Sequence, residues 1–129
     1  MEIPFFGPEI FESEVIIKDG GDAVEGLVFT KPRFDENNPT SKKVLDKYQQ
    51  KYGEKSEFPA YMTNAYDIVM LITKALEKEI SSESIKDYLY AVKNYDGAGG
   101  KLTIDKNGDA LKDFTFMEIE DGKFVPHED

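Results

Sequence analysis

One stretch of the chain, from Tyr61 to Lys78, constrains the fold most, because its apolar residues repeat with the period of an α-helix. Polar residues interrupt this run, whereas a membrane span needs roughly 20 mostly apolar residues. We therefore predict a long amphipathic helix whose apolar stripe packs against a large partner. The stripe consists of Tyr61, Ala65, Ile68, Val69, Ile72, Ala75 and Leu76, and Asn64, Asp67, Lys74 and Lys78 lie mostly outside it.

Shorter patterns on both sides of this helix predict an α/β fold. The nearly continuous apolar run Gly26–Thr30 is typical of a strand covered on both faces, as in a parallel sheet. Ser41 is a candidate N-cap for a second helix, and Ser81-Ser82-Glu83-Ser84 predicts the start of a third, capped by a serine hydroxyl. The segment Phe114–Ile119, followed by the turn signal Asp121-Gly122, predicts a hairpin near the C-terminus.

Two motifs resemble ligand-binding loops but lack the decisive residues. The segment Asp105–Asp109 has the opening spacing of a calcium loop, yet the sixth position is Ala110 instead of Gly and the twelfth is Phe116 instead of Glu. We predict a plain turn between strands there. The glycine-rich segment Asp96–Gly100 lacks the Lys-Ser/Thr that follows a phosphate-binding loop, so we predict a flexible connector.

Composition excludes several classes of function. The chain carries 26 acidic and 16 basic side chains, a net charge of −10, which repels nucleic acid and anionic membranes. It has no cysteine, and its one histidine, His127, is predicted to lie on the surface of the C-terminal tail. Cysteine or Ser-His nucleophilic catalysis therefore has no basis in this sequence. We predict a protein that is not an enzyme and needs no cofactor.

Two residues are candidates for ligand contact, each with a structural alternative. Glu9 follows a predicted strand end and the Gly7-Pro8 turn, and the carboxyl ends of strands are where α/β sheets bind ligands. The structural alternative is that the negative charge of Glu9 stabilises the N-terminus of a following short helix. Tyr61 opens the long helix after Phe58-Pro59, where an aromatic residue can belong to the core or form a binding wall.

Together these pieces resemble the later part of a known family, the substrate-binding proteins of ABC transporters for leucine, isoleucine and valine, which have the type I periplasmic-binding fold. The resemblance covers nearly all 129 residues. Three motifs carry it. They are Asp22, Ala23, Glu25 and Gly26 at the first long strand, Ala65, Tyr66 and Asp67 in the long helix, and the turn with Gly100, Asp105, Gly108 and Asp109 that is followed by Asp121-Gly122-Lys123-Phe124-Val125.

The resemblance implies the C-terminal portion of a two-lobed, layered α/β sandwich with incomplete sheets. Residues 1–31 would end the second-lobe segment, residues 32–105 would form a helical return to the first lobe, and residues 106–129 would be the final strands of the second lobe. Hinge crossings are expected at Lys31–Asp35 and near Gly108–Lys112. The rest of both lobes would be missing, which would also account for the absence of a signal peptide from the N-terminus.

Carried over to this sequence, the resemblance makes Glu9 the acceptor of the ligand's ammonium group and Tyr61 an aromatic wall of the cleft. It implies a small amino acid as ligand, an ABC permease as membrane partner, and a periplasmic or extracellular location at the membrane surface. A fragment of this kind would expose apolar surface and self-associate. Two alternatives stay open: an amide- or amino-acid-sensing regulatory domain of the same fold, and an interaction module without a small ligand.

Overall fold

Two compact units make up the chain in the computed structural model, which describes residues 4–77 and 80–127. Unit 1 combines the chain up to Arg33 with the chain from Asp113 onward, and unit 2 is Phe34–Lys112. The α/β fold class is confirmed, and the assignment of segments to two lobes stays a prediction. In chain order the elements are β1 (Phe5–Gly7), α1 (Glu14–Gly20), β2 (Leu27–Pro32), α2 (Pro39–Tyr52), α3 (Pro59–Leu76), α4 (Ser82–Tyr90), β3 (Tyr95–Gly97), β4 (Gly100–Ile104), β5 (Ala110–Leu111), β6 (Phe114–Glu120) and β7 (Lys123–Pro126), with 3-10 turns at Glu9–Phe11 and Gly21–Val24.

Unit 1 is a four-stranded sheet with the strand order β1-β2-β6-β7. β1 runs parallel to β2, and the crossover that such a pair requires contains α1. β2, β6 and β7 are antiparallel neighbours, and the predicted Asp121-Gly122 hairpin is confirmed, with both turn residues at positive φ. Because side chains alternate between the faces of a strand, Leu27 and Phe29 lie on one face of the sheet and Val28 lies on the other; all three are buried, as predicted for a strand covered on both faces.

The core of unit 1 is apolar. Leu27, Phe29 and Ile119 are fully buried, and residues of α1 and β7 pack against them. Phe29 and Phe124 meet edge to face, with ring centroids 5.8 Å apart. By strand register, Phe6 belongs to the opposite face of the sheet, and its side chain is 70% exposed.

Unit 2 consists of α2, α3 and α4 with the three-stranded sheet β3-β4-β5. The prediction that Ser41 caps α2 is wrong: the cap is Asn38, whose side-chain oxygen accepts from the Thr40 N–H at 2.8 Å. Pro39 can then occupy the first helical position, where its missing N–H costs nothing. The predicted hydroxyl cap of α4 is confirmed, and the structure identifies it as Ser81, whose hydroxyl accepts from the Ser84 N–H at 3.1 Å.

The long helix α3 is confirmed, but the predicted buried face is only partly correct: Ala75 is buried as expected, and other members of the stripe are exposed. Ile68 and Val69 are 57% and 61% exposed, whereas Asp67 and Thr63 are buried. The Thr63 hydroxyl donates to the carbonyl of Pro59 at 2.9 Å, and the Asp67 carboxylate is also hydrogen-bonded, so neither polar group is buried unsatisfied. The predicted end of the helix at Lys78 lies outside the described residues.

The prediction that the glycine-rich segment Asp96–Gly100 is a flexible connector is wrong. The segment forms the tight hairpin between β3 and β4, in which Gly97 pairs with Gly100. The predicted turn at Asp105–Asp109 is confirmed. There the Asp105 carboxylate accepts from the backbone N–H groups of Asn107 at 2.7 Å and Asp109 at 2.9 Å. Within residues 4–77 and 80–127, no helix combines the length and apolar character that crossing a membrane requires.

Candidate ligand-binding site

Glu9 lies just beyond the carboxyl end of β1, as the first residue of the 3-10 turn Glu9–Phe11. Two backbone hydrogen bonds define this turn, from Phe11 N–H to the Pro8 carbonyl at 3.1 Å and from Glu12 N–H to the Glu9 carbonyl at 3.0 Å. The carboxyl end of a parallel strand is a common place for ligand contacts in α/β proteins. Local backbone geometry therefore holds Glu9 at an edge of the sheet that suits binding.

An aromatic ring fixes the turn against the end of β1. A Cβ atom at Gly7 would come within 2.4 Å of the Phe11 ring, so this position has no room for a side chain. Phe11 also meets Phe5 edge to face, with ring centroids 6.2 Å apart. The strand end and the turn that carries Glu9 are thereby packed together.

The two carboxylates on this segment have different surroundings. Glu12 forms a short ion pair with Lys31 of β2. Glu9 is half-buried, and no hydrogen bond or ion pair to its carboxylate is found within residues 4–77 and 80–127. A partly desolvated carboxylate without a partner is suited to a cationic ligand group, since a charge-assisted hydrogen bond would compensate its loss of water.

Tyr61 lies in the first turn of α3, in unit 2, whereas Glu9 belongs to unit 1. Its ring is 52% exposed and contacts Phe58 edge to face, with centroids 6.3 Å apart. Pro59 opens the helix between these two aromatic residues. The geometry gives a half-exposed aromatic surface that can contact the apolar part of a ligand.

A cluster of hydrogen bonds in unit 2, in which side chains contact the backbone of Ala98 and Gly99, was not predicted. The buried Asp67 carboxylate accepts from the backbone N–H groups of Ala98 at 2.8 Å and Gly99 at 2.7 Å. The Ser41 hydroxyl donates to the Ala98 carbonyl at 2.6 Å, and Lys112 donates to the Gly99 carbonyl at 2.8 Å. The sequence signal is the run of very small residues from Gly97 to Gly100, since small residues permit close backbone approach.

His127 was predicted to lie on the surface of the C-terminal tail, and its side chain is 32% exposed; the contact with Glu118 was not predicted. Its side chain is half-buried, and Nδ1 lies 2.7 Å from a Glu118 carboxylate oxygen. The β6–β7 hairpin brings the two residues together, and His127 N–H extends the pairing by donating to the Phe116 carbonyl at 3.1 Å. In the described part of the chain, no group of three acidic or histidine side chains could hold a metal ion.

These features define a class: an α/β protein with a candidate ligand contact beyond a parallel strand and a second on a separate helical unit. The chain belongs to the periplasmic binding protein family, whose family model matches residues 1–123. It is 33% identical over 122 residues to the leucine-, isoleucine-, valine-, threonine- and alanine-binding protein of Pseudomonas aeruginosa, a match that covers 93% of this chain and 32% of that protein.

Comparison with solved structures also finds amino acid-binding proteins. A leucine-binding protein from Thermotoga maritima is 29% identical with a TM-score of 0.73, over 95% of this chain and 36% of that one. A branched-chain amino acid transporter substrate-binding protein from Streptococcus pneumoniae, solved in complex with isoleucine, is 26% identical with a TM-score of 0.68, over the same shares.

These comparisons confirm the resemblance and the type I periplasmic-binding fold. They also agree with the prediction that the chain is not an enzyme, because these relatives are named as binding proteins, one of them the substrate-binding protein of a transporter. The chain spans about one third of the length of the relatives that it matches.

Proposed function

We propose that this chain forms part of the solute-binding component of an ABC importer and contributes to binding a small amino acid with a branched or other aliphatic side chain. Its family and the ligands named for its relatives support this proposal. The observation that carries it is the half-buried Glu9 carboxylate, which follows a parallel strand end and has no partner among the described residues.

In this proposal, Glu9 accepts hydrogen bonds from the ammonium group of the ligand. Such a contact is selective for a free amino acid, because a neutral or anionic group would leave the carboxylate uncompensated. Glu12 cannot replace Glu9 without breaking its ion pair with Lys31. Tyr61 supplies an aromatic surface for the ligand, and its contact with Phe58 restricts the ring before the ligand binds.

Binding would be accompanied by hinge closure about Lys31–Asp35 and Gly108–Lys112, and the closed form would be recognised by a membrane permease. The division of the chain into units supports this part of the proposal, since the chain passes between them at 33–34 and 112–113. A solute-binding protein of an importer would act in the periplasm or outside the cell, at the membrane surface.

Self-association of the isolated chain also stays a prediction. Phe6, Phe114 and Phe116 are more than half exposed and, by strand register, belong to the same face of the sheet. Burying such a face in a second copy would remove aromatic surface from water. The net charge of −10 opposes this association, so it should strengthen as salt is added.

The test uses the full-length protein that contains this chain, with thermal unfolding measured against leucine, isoleucine, valine and a panel of other amino acids and amides. We expect an aliphatic amino acid to raise the melting temperature. Glu9→Gln should weaken its binding by about 30-fold or more, because loss of one partner of a buried charge pair costs about 2–5 kcal/mol.

Glu12→Gln is the matched control, since it removes a carboxylate from the same segment and should leave affinity within a few-fold of the original. Equal losses in both variants would assign the effect to the fold of the turn and contradict the role of Glu9. Stabilisation by amides but by no free amino acid would favour the sensor function instead. Stabilisation by none of these compounds would overturn the proposal.

A further inference from the structure

The chain passes between the units twice, and on the unit 1 side the two crossings are joined. Arg33 is the last residue of unit 1 before the first crossing, and Asp113 is the first residue of unit 1 after the second crossing. The backbone N–H of Arg33 donates to the carbonyl of Asp113 at 2.8 Å. This bond continues the β2–β6 ladder, in which Pro32 pairs with Phe114. Both crossings are therefore attached to the sheet of unit 1.

On the unit 2 side, the second crossing ends in a side-chain anchor. Lys112 is the last residue of unit 2, and its ammonium group donates to the Gly99 carbonyl at 2.8 Å and, in a short contact, to the side-chain oxygen of Asn64 in α3. The Gly99 N–H donates in turn to Asp67, also in α3, at 2.7 Å. One lysine thus connects the end of unit 2 to its hairpin and to its longest helix.

The groups around the Lys112 ammonium are closely packed. A Cβ atom at Gly99 would lie 2.1 Å from the Asn64 side-chain oxygen, and one at Gly97 would lie 2.3 Å from an Asp67 carboxylate oxygen. Burial lowers the pKa of Lys112, and the nearby Asp67 carboxylate partly opposes this change. Close packing and charge balance both favour a single geometry for the ammonium group.

We propose that Lys112 is a positioning residue that fixes the boundary of the second hinge. The backbone that changes conformation would lie between the Lys112 anchor and the Arg33–Asp113 hydrogen bond, so rotation would be confined to a few torsion angles about 112–113. The interpretation as a hinge rests on the function proposed above. The anchor itself can be tested without any ligand.

The experiment is amide hydrogen exchange on the full chain with Lys112→Met, which keeps an unbranched apolar stem but removes the charge and the donors. We expect exchange to accelerate by about tenfold or more at Ala98, at Gly99 and in β5 at 110–111, because hydrogen bonds from charged groups contribute the most. Exchange in α2 and α4 should stay unchanged. Lys106→Met, in the exposed Asp105–Asp109 turn, is the control and should leave all these sites unchanged.

Lys112→Arg keeps the charge and donors, and should restore much of the protection at 110–111. Unchanged exchange at 110–111 in Lys112→Met, or acceleration spread equally over all helices of unit 2, would overturn the proposal. The same conclusion would follow if arginine behaved like methionine. None of these outcomes depends on amino acid binding, so failure of the anchor and failure of the proposed binding function remain distinguishable.

Discussion

The two units differ in the polarity of the side chains that they bury. The core of unit 1 is formed by Leu27, Phe29 and Ile119, all of them apolar. Unit 2 also buries apolar residues, among them Leu71 and Ala75, but together with the hydroxyl groups of Ser41 and Thr63 and the carboxylate of Asp67. Both cores are stabilised by removal of apolar area from water, and the second depends in addition on compensating the polar groups that it desolvates.

This difference determines how each unit should respond to change. An apolar core loses stability in proportion to the side chain removed and the cavity that remains. A polar cluster loses stability when one member leaves its partners unsatisfied, even where little volume is lost. Substituting a buried apolar residue in unit 1 and a buried polar residue in unit 2, each with an exposed control, can distinguish these two kinds of stability loss.

The largest effect is expected from Phe29→Ala in unit 1. The side chain is almost completely buried and contacts Phe124, so its loss should lower the free energy of unfolding by about 3–5 kcal/mol. Urea unfolding followed by circular dichroism would measure this. Phe6→Ala, at an exposed position on the opposite face of the same sheet, should cost less than about 0.5 kcal/mol. Similar losses in both variants would show that the core of unit 1 is not where the structure has it.

A smaller loss, about 2–4 kcal/mol, is expected from Asp67→Ala in unit 2, because the buried N–H groups of Ala98 and Gly99 would lose their acceptors. Asp67→Asn keeps one side-chain oxygen and should lose about half as much. The control is Asp46→Ala on the exposed surface of α2, where we expect a change of less than about 0.5 kcal/mol. If Asp67→Ala were as mild as that control, unit 2 would not depend on its polar cluster.

The smallest effect is expected at Asp105, whose contacts are local and exposed. The hydrogen bond from the Asp109 backbone N–H lowers the pKa of Asp105, and the one from Asn107 adds to this. Because the folded state holds the proton less tightly, the stabilisation is fully present above the unfolded pKa of about 3.9 and is lost as the pH falls through the folded value.

Asp105→Asn should therefore reduce the loss of stability on acidification, measured by urea unfolding at a series of pH values between about 6 and 2. A variant whose stability falls with pH as steeply as that of the original chain would show that this turn contributes nothing to acid sensitivity.

Much of the fold could be predicted from the sequence because its signals are local. The helical period identified α3, and the Asp121-Gly122 pair identified the β6–β7 hairpin. The apolar run at Gly26–Thr30 predicted β2, which pairs on both of its edges. The order of these motifs along the chain was enough to identify the family, which the match over residues 1–123 confirms.

The errors arose where long-range contacts decided the outcome. Apolar periodicity assigned Ile68 and Val69 to the buried face of α3, but that face is set by the segments that pack on it, including the hairpin at Ala98 and Gly99. Ser41 looked like a cap because serine favours helix starts, yet its hydroxyl donates to a carbonyl 57 residues away.

For the candidate site, the sequence determined which residues are acidic or aromatic and placed Glu9 after a strand end and Tyr61 at a helix start. Only the tertiary structure revealed that the neighbouring Glu12 is paired, because its partner Lys31 is 19 residues away along the chain. Likewise, only the structure revealed that Asp67 and Lys112 belong to one cluster. The physical reason is that periodicity and turn preference act over a few neighbouring residues, whereas desolvation and charge pairing depend on which distant segments meet.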